Sequence, residues 1–298
     1  MKPSFATIGC GKVGMALAEH LPAAGYRPMG FSSRSPASAR QAAGIAGVPD
    51  RWFENSWDAA KDADIVFITT PDESIKDSSR IIFENKGFRE NAVVFHCSGA
   101  LASTELASVK SGKKLSSIMI GSIHPLQSFA ARQSGKSDNP FENIIMAVEG
   151  DPLAVEKARE VAMALGAKPF TIQTEGKVLY HAAAVVASNY LVTLMDLAIK
   201  LMAASGVSES EAFVILKPLI KGTLTNIETT GIPDALTGPI ARGEVGIVEK
   251  HVQEIRSLSD EQADYYAMNG VETVKVARTK GTLSEDAAKQ LMKILKAD

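Results

Sequence analysis

Apolar residues in the first half of the chain come in short runs separated by turn chemistry. Phe5-Ala6-Thr7-Ile8 breaks into Gly9-Cys10-Gly11-Lys12-Val13-Gly14, after which Met15, Leu17, Ala18 and Leu21 keep a helical period; this predicts strand, tight turn and helix. Runs at 27–32, 63–68, 92–96, 118–123, 143–148 and 168–172 predict further strands, with helical stretches at 35–46 and 151–165. Such alternation implies an α/β fold built on a doubly wound parallel sheet. Beyond Thr174 the period changes, and 176–204, 208–225, 243–258, 260–279 and 283–296 all suit helices. The expectation is a parallel-sheet domain over 1–173 followed by an all-α domain over 174–298. Ser208 with Glu211, and Thr282 with Glu285, have capping-box spacing. Pro218 should kink or split its helix, and 132–140, rich in Ser, Gly and Asp, has the composition of a mobile loop.

Composition narrows the task. With 298 residues at 45% apolar content the chain is long enough for two cores. A net charge of −2 gives no basic field to collect nucleic acid or an anionic membrane. Two cysteines, Cys10 and Cys97, are too few for a disulfide framework and fit a reducing, cytoplasmic compartment. Met1-Lys2-Pro3 runs straight into the first strand, with no room for a signal peptide. The stretch 178–195 is apolar enough to raise the question of a membrane helix, but it carries His181, Ser188, Asn189 and Thr193 between Lys177 and Asp196. It reads as a buried helix of a soluble protein.

A bare G-x-G-x-x-G is weak evidence, but here it leaves a strand and opens a helix. Gly9 permits the sharp turn, Gly11 lets the backbone approach a pyrophosphate, and Gly14 allows close helix–strand packing, the chemistry of a Rossmann dinucleotide site. Cys10, Lys12 and Val13 belong to the same turn. Where an NAD enzyme places Asp or Glu after the second strand, this chain has Ser32-Ser33-Arg34-Ser35. A guanidinium with flanking hydroxyls suits the 2′-phosphate of NADP; the alternative is that Arg34 is a solvated surface residue. Thr69-Thr70-Pro71-Asp72 and His96-Cys97-Ser98-Gly99-Ala100 end two further strands at the same binding edge, with Thr70, Pro71 and Ser98 as candidate cofactor contacts and Ser98 also a candidate for substrate. Ordinary turn chemistry would use the same residue types.

At 100° per residue, Lys177 and Ser188 fall within roughly 40° and 20° of His181, with Asn189 about 80° to the other side. Four polar groups thus share one side of an apolar helix, which is costly unless they meet partners or a ligand. His124, held extended by Pro125, is a further candidate for the site or a brace for its loop. Arg242, in a Gly-bounded loop with Thr237, suits a substrate carboxylate or phosphate, or an interdomain or intersubunit salt bridge. No grouping has metal-ligand spacing and no G-x-S-x-G turn is present.

These residues resemble a known group. A Rossmann domain followed by a helical domain entered through a long helix is similar to the β-hydroxyacid dehydrogenase, 6-phosphogluconate dehydrogenase and pyrroline-5-carboxylate reductase superfamily. More closely, His124-Pro125-Leu126-Gln127-Ser128-Phe129, Tyr180-His181-Ala182-Ala183 with Ser188-Asn189, and Leu236-Thr237-Gly238-Pro239-Ile240-Ala241-Arg242-Gly243 resemble a family of proposed NADP oxidoreductases with no agreed substrate, in which a Rossmann-like domain precedes a domain of unknown function. In the hydroxyacid dehydrogenases the long helix carries an acid/base Lys followed four positions later by Asn. Lys177 matches the Lys, and His181 stands at the Asn position. The resemblance therefore implies either His181, the side chain type that titrates nearest neutrality, or Lys177 as proton donor. The expectation is an NADP-dependent reductase or dehydrogenase acting on the carbonyl or imine carbon of a small, anionic metabolite, as a cytoplasmic homodimer that engages neither membrane nor nucleic acid. A non-catalytic NADP(H) sensor is the alternative, and a methyltransferase is disfavoured by Arg34 and the helical second half.

Overall fold

A computed structural model describes residues 2–110, 117–127, 129 and 139–296. The stretch 132–140 falls mostly outside them. Packing divides the chain into two compact units, Met1–Ala187 and Ser188–Asp298. The division falls beyond the expected 173/174 boundary because Lys177, Tyr180 and His181 pack into the first unit.

Seven strands, β1 (Ser4–Ile8), β2 (Arg27–Ser32), β3 (Ile65–Ile68), β4 (Val93–His96), β5 (Met119–Pro125), β6 (Ile145–Gly150) and β7 (Lys168–Thr171), form one sheet in the order β2-β1-β3-β4-β5-β6-β7. Helices α1 (Lys12–Ala23), α2 (Pro36–Ile45), α3 (Ser56–Ala60), α4 (Asp72–Glu84) and α5 (Pro152–Ala164) cover its faces. The sheet is not wholly parallel: β1 to β5 run together, whereas β6 pairs antiparallel with β5, and β7 follows β6. Hydrophobic periodicity marks a strand but carries no direction, and an antiparallel neighbour needs no crossover helix. The side-chain alternation of strands sorts the core into two layers. On one face Phe31, Phe5, Phe67 and Phe95 step across β2, β1, β3 and β4 with ring centroids 5.8 to 6.4 Å apart. On the other, Ile8, Ile68, Val94 and Ile120 pack with Ile75 and Ile82 of α4.

The second half begins in a long helix made of α6 (Lys177–Val185), a wider π turn at Val186–Tyr190, and α7 (Leu191–Ala204). There follow α8 (Glu209–Thr230), α9 (Ile232–Ala235), α10 (Pro239–Arg242), α11 (Val245–Leu258), α12 (Asp260–Lys280) and α13 (Glu285–Leu295). The core of the helical unit lies among α10 to α13, where Ile240, Val248, Val252, Val274, Leu291 and Leu295 meet. By contrast α7 buries only Leu197, and α8 only Ala212.

The reading of 178–195 as a buried helix is therefore corrected. The helix has the length and composition to cross a membrane, and only 6% of its most apolar window is buried in the chain. Val178, Leu179 and Val192 are 67 to 77% exposed, because their side of the helix turns away from the protein's own core. Within α11, Val248, Val252 and Ile255 are buried, while Ile247 and Leu258 stay exposed. α8 continues through Pro218 without interruption. Neither expected capping box forms. Ser208 Oγ bonds the Glu211 carboxylate instead of an amide, and the last helix is capped by Ser284, which accepts from Ala287 N, while Thr282 Oγ1 donates to Ala241 O.

Candidate functional site

The glycine turn has the geometry its sequence predicts. Gly9 has φ +98°, reachable without strain only by glycine, and a side chain there would strike the Thr69–Thr70 backbone at 2.7 Å. At Gly14 a Cβ would fall on the Gly9 carbonyl oxygen. Gly11 is different: its own neighbours aside, none of the described residues comes within 4 Å of where its Cβ would be, so among them the turn is open on the side where a pyrophosphate would approach. Gly11 leads into α1, which has no side-chain cap and no acid in its first turn, leaving its amides and positive end available to an anion. Thr70 Oγ1 is buried with no hydrogen-bond partner among the described residues, a costly state that a ligand would relieve. These features fit a dinucleotide.

The other predicted cofactor contacts divide. Cys10 is buried, its Sγ 3.6 Å from Ser32 O, and burial pushes its thiol up to about 12; it contributes backbone only. Lys12 Nζ donates to Phe129 O at 3.0 Å, and Val13 is half-buried against the core. Arg34 is exposed at the end of β2, beside half-buried Ser33. Ser35 caps α2 by accepting from Ser38 N at 3.4 Å, so its hydroxyl is partly committed. Pro71 is exposed and precedes α4.

A second cluster forms at the carboxyl ends of β4 and β5. His96 is fully buried; its Nε2 is 3.1 Å from Ala102 O and its Nδ1 accepts from Ser98 N at 3.2 Å. Burial, with the charge of Lys177, pushes the ring down to about 4. Ser98, expected to touch cofactor or substrate, is instead a turn residue: its hydroxyl donates to Asp72 Oδ2 at 2.8 Å and accepts from the amides of Ala100 and Leu101. That turn presents Gly99, where a Cβ would meet the rings of both His124 and His181. His124 Nδ1 is 3.0 Å from the Tyr180 hydroxyl, and its ring lies edge-on to Tyr180 and His181, with centroids 5.8 and 6.0 Å apart. Burial first, then the Lys177 charge, holds His124 down to about 4. His181 Nδ1 is shielded and has no partner among the described residues.

Lys177 does not share an open face with His181. It is 1% exposed, its Nζ donating to Ser122 Oγ and paired at 3.4 Å with Glu149 Oε1. Burial pulls its pKa below the ordinary lysine value, against the opposing pull of Glu149. Ser188 and Asn189 are exposed within the π turn, where the 100° step of the wheel no longer applies, so the four-residue face does not form as predicted. The Arg242 guanidinium pairs with Glu244 through Nε–Oε1 at 2.8 Å and Nη2–Oε2 at 3.0 Å, a partner two residues away in its own loop and not in another domain or subunit. Thr237 is exposed between α9 and α10.

Sequence reasoning missed Glu149, Ser122 and the roles of Tyr180 and His96. A carboxylate in an apolar strand, Ile145-Met146-Ala147-Val148-Glu149, was the available signal, since such a group is buried only with partners.

Comparison with known proteins agrees with this layout. A Rossmann-like domain matches residues 2–119, and a domain of unknown function (DUF2520) matches 144–273. A protein from Thermotoga maritima is 27% identical and superposes with a TM-score of 0.66, over 96% of this chain and 98% of its own. One from Bacteroides fragilis, provisionally described as an NADP oxidoreductase, is 20% identical with a TM-score of 0.69 over 94% and 98%. A pyrroline carboxylate reductase from Plasmodium falciparum, solved with NADP bound, is 13% identical with a TM-score of 0.57 over 95% and 98%. No curated protein matches the chain.

Proposed function

From a chain that joins a Rossmann-like domain to a DUF2520 domain, we propose an NADP-dependent reductase or dehydrogenase acting on the carbonyl or imine carbon of a small, anionic metabolite. One observation carries the reading: an open glycine cradle and a pair of apposed imidazoles stand along the same edge of one sheet. That is the edge where ligands of open α/β sheets bind. When bound, the nicotinamide would supply or accept the hydride.

The chain's own groups do the rest. Gly9, Gly11 and the start of α1 receive the pyrophosphate, and the Thr70 hydroxyl gains the partner it lacks. Arg34, with no acid beside it after β2, receives the 2′-phosphate. His181, with a buried ring nitrogen that has no partner among the described residues, binds the substrate heteroatom and passes it a proton, with His124 and Tyr180 beside it as a second donor pair. The neighbours described as NADP oxidoreductase and pyrroline carboxylate reductase support this chemistry through shared fold.

A sensor that binds NADPH without turnover is favoured by one observation: the fixed positive charge of Lys177 is sealed away and His124 is held neutral. A screen of small keto acids and cyclic imines for NADPH oxidation separates the two, since a sensor binds NADPH and oxidises it with none. The cofactor assignment has its own test. NADPH should bind tighter than NADH, and Arg34→Ala should remove most of the difference, about 1.5 to 3 kcal/mol for hydrogen bonds to a charged group. Equal affinities in the unaltered protein would sink it.

The assembly we propose is a cytoplasmic homodimer. Its support is the uncovered apolar surface of the long helix and α8, where Phe213, Val214, Ile215, Leu219 and Leu224 are 48 to 68% exposed; twofold pairing is the commonest way to cover such a surface.

A further inference from the structure

Lys177 and Glu149 are each only 1% exposed, and the cage around them is nearly complete. Glu149 Oε1 accepts from Ser103 N at 2.7 Å and faces the ammonium; Oε2 accepts from the hydroxyls of Ser103 at 2.7 Å and Thr174 at 2.9 Å. Ser122 stands directly opposite Glu149 across the antiparallel β5–β6 pair. It accepts from Lys177 Nζ and donates to Ser98 O at 3.5 Å. One ammonium therefore gathers two strands, the turn after β4, the segment before α6, and α6 itself.

Lys177 is the first residue of α6. Tyr180 and His181 stand three and four positions on, one turn along the same face. For Lys177 to swing toward a ligand it would have to leave Glu149 as a buried, uncompensated charge, a state costing several kcal/mol. The lysine is thus static by construction.

We propose that Lys177 is a positioning residue and not the proton donor. Held between Glu149 and Ser122, it pins the first turn of α6 to the sheet, so that Tyr180 and His181 are delivered to His124 and Gly99 and His124 keeps a single tautomer. The inference rests on reading this cluster as the substrate side of the site. Burial pushes the Tyr180 phenol up to about 12, so it keeps its proton. Imidazole nitrogen is a better base than a phenol oxygen, so Tyr180 donates to His124 Nδ1 and the ring's own proton stays on Nε2. The groups facing His124 are Tyr180, His181 and Lys177 from α6, Asp72 from α4, and His96 from β4. Among them Lys177 is the fixed cation that opposes protonation of the ring.

The test uses the intact protein without NADPH and records the imidazole nitrogens of all five histidines by NMR across pH. In the unaltered protein His124 should show one tautomer, with the proton on Nε2, and no protonation above about pH 5. The double variant Lys177→Met/Glu149→Gln removes both charges with near-isosteric neutral groups. His124 should then shift toward a mixture of tautomers and protonate about one pH unit higher. His251, whose Nδ1 is 2.9 Å from Tyr266 OH in the other unit, should be identical in every sample and reports an intact fold. A merely structural lysine would lower thermal stability without moving the His124 tautomer. A folded double variant with unchanged His124 signals overturns the inference, as does an Nδ1-protonated His124 in the unaltered protein. Should the double variant fail to fold, Ser122→Ala loosens the same cage by one hydroxyl, and an unchanged His124 there overturns it equally. Because no cofactor or substrate enters the measurement, this outcome and the reductase reading stand or fall separately.

Discussion

The two units treat their apolar residues in opposite ways. In the first, rings and branched side chains close over both faces of the sheet, and even the polar cluster of Ser103, Ser122, Glu149 and Lys177 finds partners inside it. In the second, α10 to α13 make a modest core while α7 and α8 bury one residue each. The contrast teaches where the uncovered apolar surface is concentrated, along the long helix and α8, the surface on which the proposed homodimer rests. Under the proposed function, chemistry and assembly would fall to different parts of the sequence.

The sharpest way to break this contrast is to charge the open face. Ile215 and Leu219, four apart on α8, are 53 and 68% exposed. The variant Ile215→Asp/Leu219→Asp should weaken dimerisation by about 4 kcal/mol, roughly a thousandfold, from the lost burial of two large side chains. Sedimentation at micromolar concentration checks it, and an unaltered protein that already sediments as a monomer contradicts the idea of a face awaiting a partner.

Acid should act on the other unit. His96 carries a folded value of about 4 against 6.5 for the free side chain. The unfolded chain therefore binds a proton more readily, so the stabilisation is full above pH 6.5 and is lost as pH falls toward 4. The size is about 3 kcal/mol for His96, with His124 adding in the same direction. Urea unfolding followed at Trp52 and Trp57 of the sheet unit should show that drop between about pH 7 and 4.5; a flat profile would mean that the buried rings are hydrated or already charged.

The third effect separates chemistry from binding inside the sheet unit. His181→Ala should lower turnover by about 10²-fold while NADPH affinity stays nearly constant, as expected for a positioned acid. Full activity in this variant moves the proton to His124.

Much of the fold was legible in the sequence, and what was not had physical reasons. All seven strands lie near their predicted positions, because period-two and period-3.6 patterns record which face is buried. The reversal of β6 leaves no trace in that pattern. Lys177, His181, Ser188 and Asn189 seemed to share a face because the wheel assumes uniform α geometry, and the π turn at Val186–Tyr190 breaks that assumption. Glu149 stayed hidden since its partners Ser103, Ser122, Thr174 and Lys177 come from separate segments of the chain. For Arg242 the sequence offered a ligand or a bridge to another domain or subunit, and the partner found is Glu244, two residues on.

Gly99 carries a consequence for anyone who redesigns this protein. Any side chain at that position intrudes on two imidazoles at once, so a library built there would sort into working and dead clones with little between. Position 11 offers the opposite landscape, since a methyl group added there meets open space, and a graded series of small residues would serve as a ruler for how closely a bound phosphate approaches the backbone. Room for substitution thus lies at the glycine turn, and position 99 beside the two histidines has none.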